Sequence, residues 1–142
     1  MDKIDKKIIN EIAQNLEIGD ICYFNYKTNK VISIPDIDDD WDETEFEDLF
    51  KADLKKIKKQ KKDLIKIEPL ESYESFKIME QFVEQITDQV YKSQLEDLLQ
   101  RQKPFQNFKH SIEQSKFRQA WFDFRLAQFE KKVLKEIDLI SN

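Results

Sequence analysis

The densest set of candidate metal ligands in the chain is the twelve-residue run DIDDDWDETEFE, Asp36–Glu47. Asp36, Asp38 and Asp40 take the first, third and fifth places of a calcium-binding loop, and Glu47 takes the twelfth. Such a loop needs glycine at its sixth place for a sharp turn, and this chain has Trp41 there. Its eighth place is normally apolar and is Glu43. The segment before it reads as a strand ending in proline, not as a helix. The run is therefore expected to be a solvated acidic helix start, favoured by the positive end of the helix dipole, with no metal site.

Nucleophilic chemistry has little to draw on. Cys22 and His110 are the only members of a thiol–imidazole pair. Cys22 alternates with Tyr23 in a short β-branched and aromatic segment, where a buried inert thiol is the usual meaning. His110 follows Lys109 near a helix end, where a surface or capping role is expected. A single cysteine excludes an internal disulfide and a cysteine-based zinc site. A single glycine excludes a phosphate-cradling loop. Carboxylates are plentiful, but none is singled out by an apolar setting, so an enzyme with a carboxylate-based site is only a third reading. No catalytic, cofactor-binding or metal-binding residue is assigned, and no cofactor is expected.

Two stretches remain that could meet a macromolecule. Lys51–Lys62 holds seven lysines, spread over most faces of a helix and preceded by acids that repel phosphate. It reads as a solvated helix end. Lys103–Phe129 holds six of the eleven Phe, one of the two Trp and the only His. Phe105, Phe108, Trp121 and Phe124 beside Lys109, Arg118 and Arg125 have the composition of both a protein hot spot and a base-stacking surface. The competing reading is an aromatic core with arginines lying over it.

The elements that must position these residues follow from the totals. The chain has 142 residues with 37% charged and 12% aromatic side chains, one Gly and three Pro. That is the size of a single domain, read as a helix–hairpin–helix–strand part over 1–70 and a helical part over 71–142. Few breakers among many Lys, Glu, Gln and Leu point to an α+β chain that is mainly helical, with a small three-stranded antiparallel sheet packed against about six helices. A net charge of −5 makes nucleic acid an unfavoured partner. The opening MDKIDKK is charged and no long apolar run follows, so we expect neither a signal peptide nor a membrane span, and a cytoplasmic setting.

In order, Asp2 caps a first helix whose apolar face is Ile4, Ile8, Ile12 and Leu16, and Gly19 supplies its left-handed end. Ile21–Tyr26 and Val31–Ile34 form a hairpin with Asn29 in the turn. One helix is expected from about Trp41 to Lys61, and a third strand at Leu64–Ile67 ended by Pro69. Ser72 caps a helix whose core face is Phe76, Met79, Phe82, Val83, Ile86 and Val90. Ser93 and Glu96 suggest a capping box for the next. Pro104 opens a short helix with Phe105, Phe108 and Ile112 on one face. Ser115 caps the last helix, which carries two apolar stripes: Phe117, Trp121, Phe124 and Ala127, then Phe122, Leu126, Phe129, Val133 and Ile137. Both stripes need cover, from this chain or another. The tail from Ile137 is expected to fray.

Five phrases in order resemble a small bacterial family, the uncharacterised protein family UPF0158: VISIPD (Val31–Asp36), IEP (Ile67–Pro69), SFKIMEQFV (Ser75–Val83), KPFQNFK (Lys103–Lys109) and AWFDFR (Ala120–Arg125). Asn29 and Arg101 stand where that resemblance implies glycine, which bears on turn geometry only. The resemblance implies a bacterial cytosolic setting and no activity or site residues. The functional expectation is a non-enzymatic module contacting an unknown protein, or a second copy of itself, with Phe105, Phe108, Arg118, Trp121, Phe122, Arg125, Leu126 and Phe129 as candidate contacts. The contact itself is placed on the second stripe of the last helix, Phe122, Leu126, Phe129 and Val133. An RNA-associated protein using the 105–125 surface is the alternative.

Overall fold

The structure is a computed structural model that describes residues 5–36 and 42–141. It divides into two compact units, one from residues up to Pro69 plus Phe129 onward, the other Leu70–Gln128.

The first unit opens with α1 (Lys6–Glu17). Asp5 is its cap, its carboxylate accepting from the Lys7 N–H at 2.9 Å. Asp2 and Ile4 lie outside the described residues. Ile9, Ile12, Ala13 and Leu16 form the buried face at helical spacing. The helix stops at Gly19, whose φ of +94° is costly for any residue with a Cβ. A Cβ there would meet nothing within 4 Å, so the glycine serves backbone conformation and not close packing.

β1 (Asp20–Asn25) and β2 (Lys30–Pro35) make the expected hairpin, and β3 (Leu64–Ile67) pairs on the other side of β1. The order is β2-β1-β3, all antiparallel. Asn29 takes the left-handed turn position with φ 59°, where asparagine is tolerated. Register places Cys22 between Ser33 and Ile67, and Phe24 between Val31 and Ile65. Directly paired residues share a face, so these six point the same way. α1 covers that face: the Cys22 thiol lies 3.8 Å from the Ile12 carbonyl, and the Asn15 amide donates to the Ser33 hydroxyl at 3.0 Å.

The acidic-to-basic stretch is not one helix. It forms α2 (Glu43–Leu49) and α3 (Lys51–Lys59), followed by a 3-10 turn at Lys61–Asp63. Phe50 leaves the helical region (φ −110°, ψ 20°) while its N–H still bonds the Phe46 carbonyl at 3.0 Å. The Phe50 ring stays 5.0 Å from that of buried Phe46. Apolar spacing says which residues face inward, but it does not say that the axis is continuous. The dipole argument survives at both ends. Asp42 caps α2 by accepting from the Thr44 and Glu45 N–H groups at 2.8 and 3.2 Å, and Lys56, Lys58 and Lys59 close α3. Trp41 and Asp38–Asp40 lie outside the described residues.

The second unit is helical: α4 (Ser72–Glu84), α5 (Gln89–Leu99), α6 (Pro104–Glu113) and the first part of α7 (Arg118–Ser141). Seven α-helices are thus present among the described residues. Several expected boundaries shift. Glu71 precedes α4 and donates its N–H to Glu74 Oε1 at 3.1 Å, so Ser72 is the first helical residue and not the cap. α4 ends before Val90, which belongs to α5 and is exposed. Asp88 caps α5, accepting from the Tyr91 N–H at 3.1 Å, which leaves Ser93 inside the helix. Ser115 accepts from the Phe117 N–H at 3.1 Å and donates to the Ile112 carbonyl at 2.8 Å, closing a turn one step before α7. Ile137 does not fray; it is fully buried within a helix that runs to Ser141.

The two stripes on α7 are used along different lengths. Phe117, Trp121, Phe122 and Phe124 belong to the core of the second unit. Phe129, Val133 and Ile137 are buried in the part that groups with the first. One long helix serves two cores, and this is why its apolar surface changes side partway along.

Asn25 is the buried polar side chain of the core among the described residues. Its Oδ1 accepts from the Lys27 and Thr28 N–H groups at 2.9 and 3.1 Å, and its Nδ2 donates to Gln60 Oε1 at 2.9 Å. The amide therefore folds the hairpin turn and ties it to the end of α3. Asn25→Ala removes all three bonds and is expected to lower unfolding free energy by about 1–3 kcal/mol. Urea denaturation checks this, and an unchanged midpoint would contradict the role given to the amide.

Candidate functional site

The second unit gathers most of the ring-bearing residues singled out above. α4 contributes Phe76 and Phe82, α5 contributes Tyr91, α6 contributes Phe105 and Phe108, and α7 contributes Trp121. Pro104 opens α6 with its fixed φ. The residue before it, Lys103, sits in the left-handed region (φ 55°, ψ 53°). This is the positive-φ position of the loop, where the family resemblance had pointed to Arg101. A side chain there costs about 1–2 kcal/mol relative to glycine. The Asn107 amide donates to the Gln102 carbonyl at 3.0 Å and holds the turn against the helix. That fixed turn sets where Phe105 projects.

Behind the surface the rings are closed upon one another. Trp121 lies edge-on to Phe82 and Phe108, with centroids 5.3 and 5.0 Å apart, and Phe124 lies 5.5 Å from Phe82. Such tilted pairs place a ring's positive edge against its neighbour's negative face. Phe108 is 1% exposed and Trp121 7%, so both are spent within the unit. Tyr91 stacks on Phe117 at 5.4 Å, and its hydroxyl meets the Ser111 hydroxyl at 3.0 Å. Arg118 lies over the Phe122 ring at 5.0 Å. Phe122, Arg125 and Leu126 are half-buried, and Phe129 is buried. Of the eight residues proposed for partner contact, Phe105 is the one large apolar side chain left open, at 42% exposure. It packs edge-on to Phe76 at 6.3 Å.

Phe76 leads into a feature the sequence reading did not isolate. An open groove of about 300 Å³ lies between α4 and α5, its apolar lining being half-buried Phe76 with the nearly enclosed Val83 and Leu99. Its rim carries Glu80, Glu84, Glu96, Lys92 and Gln100. On α4 the lining falls at spacings of three and four, and the same holds from Lys92 through Glu96 to Leu99 and Gln100 on α5, so each helix presents one face to it. The three carboxylates are exposed, and none forms an ion pair among the described residues. In sequence these acids look like an ordinary solvated flank. Nothing in their spacing shows that two such flanks meet over apolar residues.

The remaining candidates separate. Cys22 is fully buried in the first unit, and His110 is exposed in the second with its Nε2 3.3 Å from the Gln114 amide nitrogen. Burial pushes the Cys22 thiol up to about 11, outweighing the opposite effect of its Ser33 hydrogen bond. It is a structural thiol. Among the described residues no group of three or more His, Cys, Asp or Glu is placed to hold a metal ion, and no helix is long and apolar enough to cross a membrane.

Comparison with known proteins gives one match: a family model described as an uncharacterised protein family (UPF0158) covers residues 2–140. No curated protein and no solved structure matches the chain.

The Cys22 environment makes a direct prediction. A thiol whose folded value lies above its ordinary 9.0 stays protonated until pH rises through about 11, so the native protein should resist thiol reagents at pH 8. A disulfide reagent should titrate Cys22 at once in guanidine and orders of magnitude more slowly in buffer. Equal rates would contradict the burial. Because protonation favours the folded state, this group's contribution to stability is complete below pH 9 and is lost as pH rises toward 11.

Proposed function

The chain belongs to the UPF0158 family, and from that premise we propose that it is a non-enzymatic module of the bacterial cytosol that binds another protein through the outer face of its second unit. The observation that supports this most is the open groove beside Phe105. An exposed aromatic anchor beside an apolar floor, rimmed by charged groups, is the usual anatomy of a protein contact. The rigid ring cluster behind the surface lowers the entropy lost on docking.

The alternatives draw less support. Catalysis by carboxylates calls for an acid in an apolar setting, whereas Glu80, Glu84 and Glu96 stand on an exposed rim. RNA binding through the 105–125 surface calls for free cations. Lys109 is exposed, but Arg118 lies over Phe122 and Lys116 over Phe117, and the nearby rim is acidic. A dimer contact through Phe129 and Val133 would require buried side chains to come out. The contact surface is better placed at Phe105.

Two measurements test the reading. A photo-crosslinking amino acid placed at position 105 should form a discrete protein adduct in cells, while the same group at exposed Glu45 on α2 should not. Absence of an adduct at 105, or a nucleic-acid adduct there, would overturn the proposal. Phe105→Ala should abolish partner retention while costing about 1 kcal/mol of stability or less, as expected for a half-exposed ring. Trp121→Ala, by contrast, should cost about 3–5 kcal/mol by opening the core. If Phe105→Ala destabilised as much as Trp121→Ala, the ring would be structural after all.

A further inference from the structure

The α4–α5 groove has a shape and a charge that restrict what fits it. Its lining on α4 runs from Phe76 to Glu84, about 12 Å of helix, matching two to three turns of a docked helix at about 1.5 Å per residue. Half-buried Phe76 is the main apolar surface the groove offers, Val83 and Leu99 being nearly enclosed, so it takes a narrow apolar stripe flanked by polar groups. The rim sets three carboxylates against Lys92 alone. Glu80 and Glu84 lie one turn apart on the same helix, a like-charge arrangement that is mildly unfavourable. None of these acids makes an ion pair among the described residues, so all three stay available to a cationic partner.

We propose that the groove docks a cationic amphipathic helix of a partner protein, its apolar stripe on the floor and its Lys or Arg residues against Glu80, Glu84 and Glu96. The inference rests on the protein-binding reading and specifies the partner's chemistry. Helix-in-groove recognition is read through anchors at spacings of three, four and seven, and these fit a floor walled by two helices. The acidic rim adds chiefly rate and selectivity, excluding acidic segments and nucleic acid by like charge.

The experiment uses the whole protein and a fluorescein-labelled peptide of about 14 residues with leucines at helical spacing and lysines between them. Polarisation should show saturable binding at moderate salt. A peptide of identical composition with its order scrambled should bind at least about tenfold more weakly, since a non-amphipathic order gives up the apolar stripe while keeping the charge. Glu80→Lys with Glu84→Lys should weaken binding about tenfold, and Glu96→Lys alone should weaken it in the same direction. These acids are exposed, so the variants should keep the parent's circular dichroism. Glu45→Lys with Glu47→Lys on α2 should leave affinity unchanged. Equal binding of the scrambled peptide, or indifference to the groove substitutions, would overturn the proposal. So would light scattering that showed a dimer dispersed by Glu84→Lys, since the occupant would then be a second copy of this chain. The protein-binding reading stands or falls separately: an adduct at position 105 together with no peptide binding removes only the cationic partner.

Discussion

Trp121 packed edge-on between Phe82 and Phe108 is the contact on which the second unit depends. These residues come from three different helices, α7, α4 and α6, and the three rings fix where those helices lie. Each of them buries a large area, and the tilted geometry restricts how they can slide past one another. A cluster built in this way leaves little freedom to the surface above it. The position of α4 against α5 determines the groove, and the position of α6 determines where Phe105 emerges.

The same economy explains α7. A 24-residue helix with apolar side chains on two flanks reads in sequence as a surplus of hydrophobic surface. The structure resolves the surplus by distance along the axis: the rings up to Phe124 belong to one core, and Phe129, Val133 and Ile137 to the other. Helical periodicity assigns a residue to a face, but it is silent about which neighbour covers that face and at what height. Phe108, Trp121 and Phe105 therefore looked equivalent as candidates for an outside partner. Only the packing separates the two that are enclosed from the one that is not.

Where local chemistry alone decided the outcome, the sequence was legible. Gly19 with its positive φ, Asn29 in the hairpin turn, Pro104 at the first turn of α6 and the alternation of Leu64–Ile67 each follow from a steric or hydrogen-bonding rule acting within a few residues. Where two rules competed, it was less so. Several polar residues near α4 and α5 were acceptable caps, and Glu71 and Asp88 prevailed over Ser72 and Ser93. The break at Phe50 has no proline or glycine to announce it. The groove was the least legible feature, because Glu80, Glu84 and Glu96 acquire meaning only when α4 and α5 are laid side by side.

Charge illustrates how far totals and placement can diverge. The chain's −5 disfavours polyanions in general, yet it contains a strongly basic stretch at Lys51–Lys62. Within that stretch Lys56, Lys58 and Lys59 sit in the last turn of α3, where their charge favours the helix dipole. The acids of the groove have no such local use. They do not cap a helix, they form no ion pair among the described residues, and they line an apolar floor. Exposed charges that neither cap a helix nor close an ion pair, held at the edge of a groove, favour a partner of opposite sign. Rim charges of this kind add little affinity individually, because water screens them. Their effect is to decide which of many amphipathic helices can approach the floor at all.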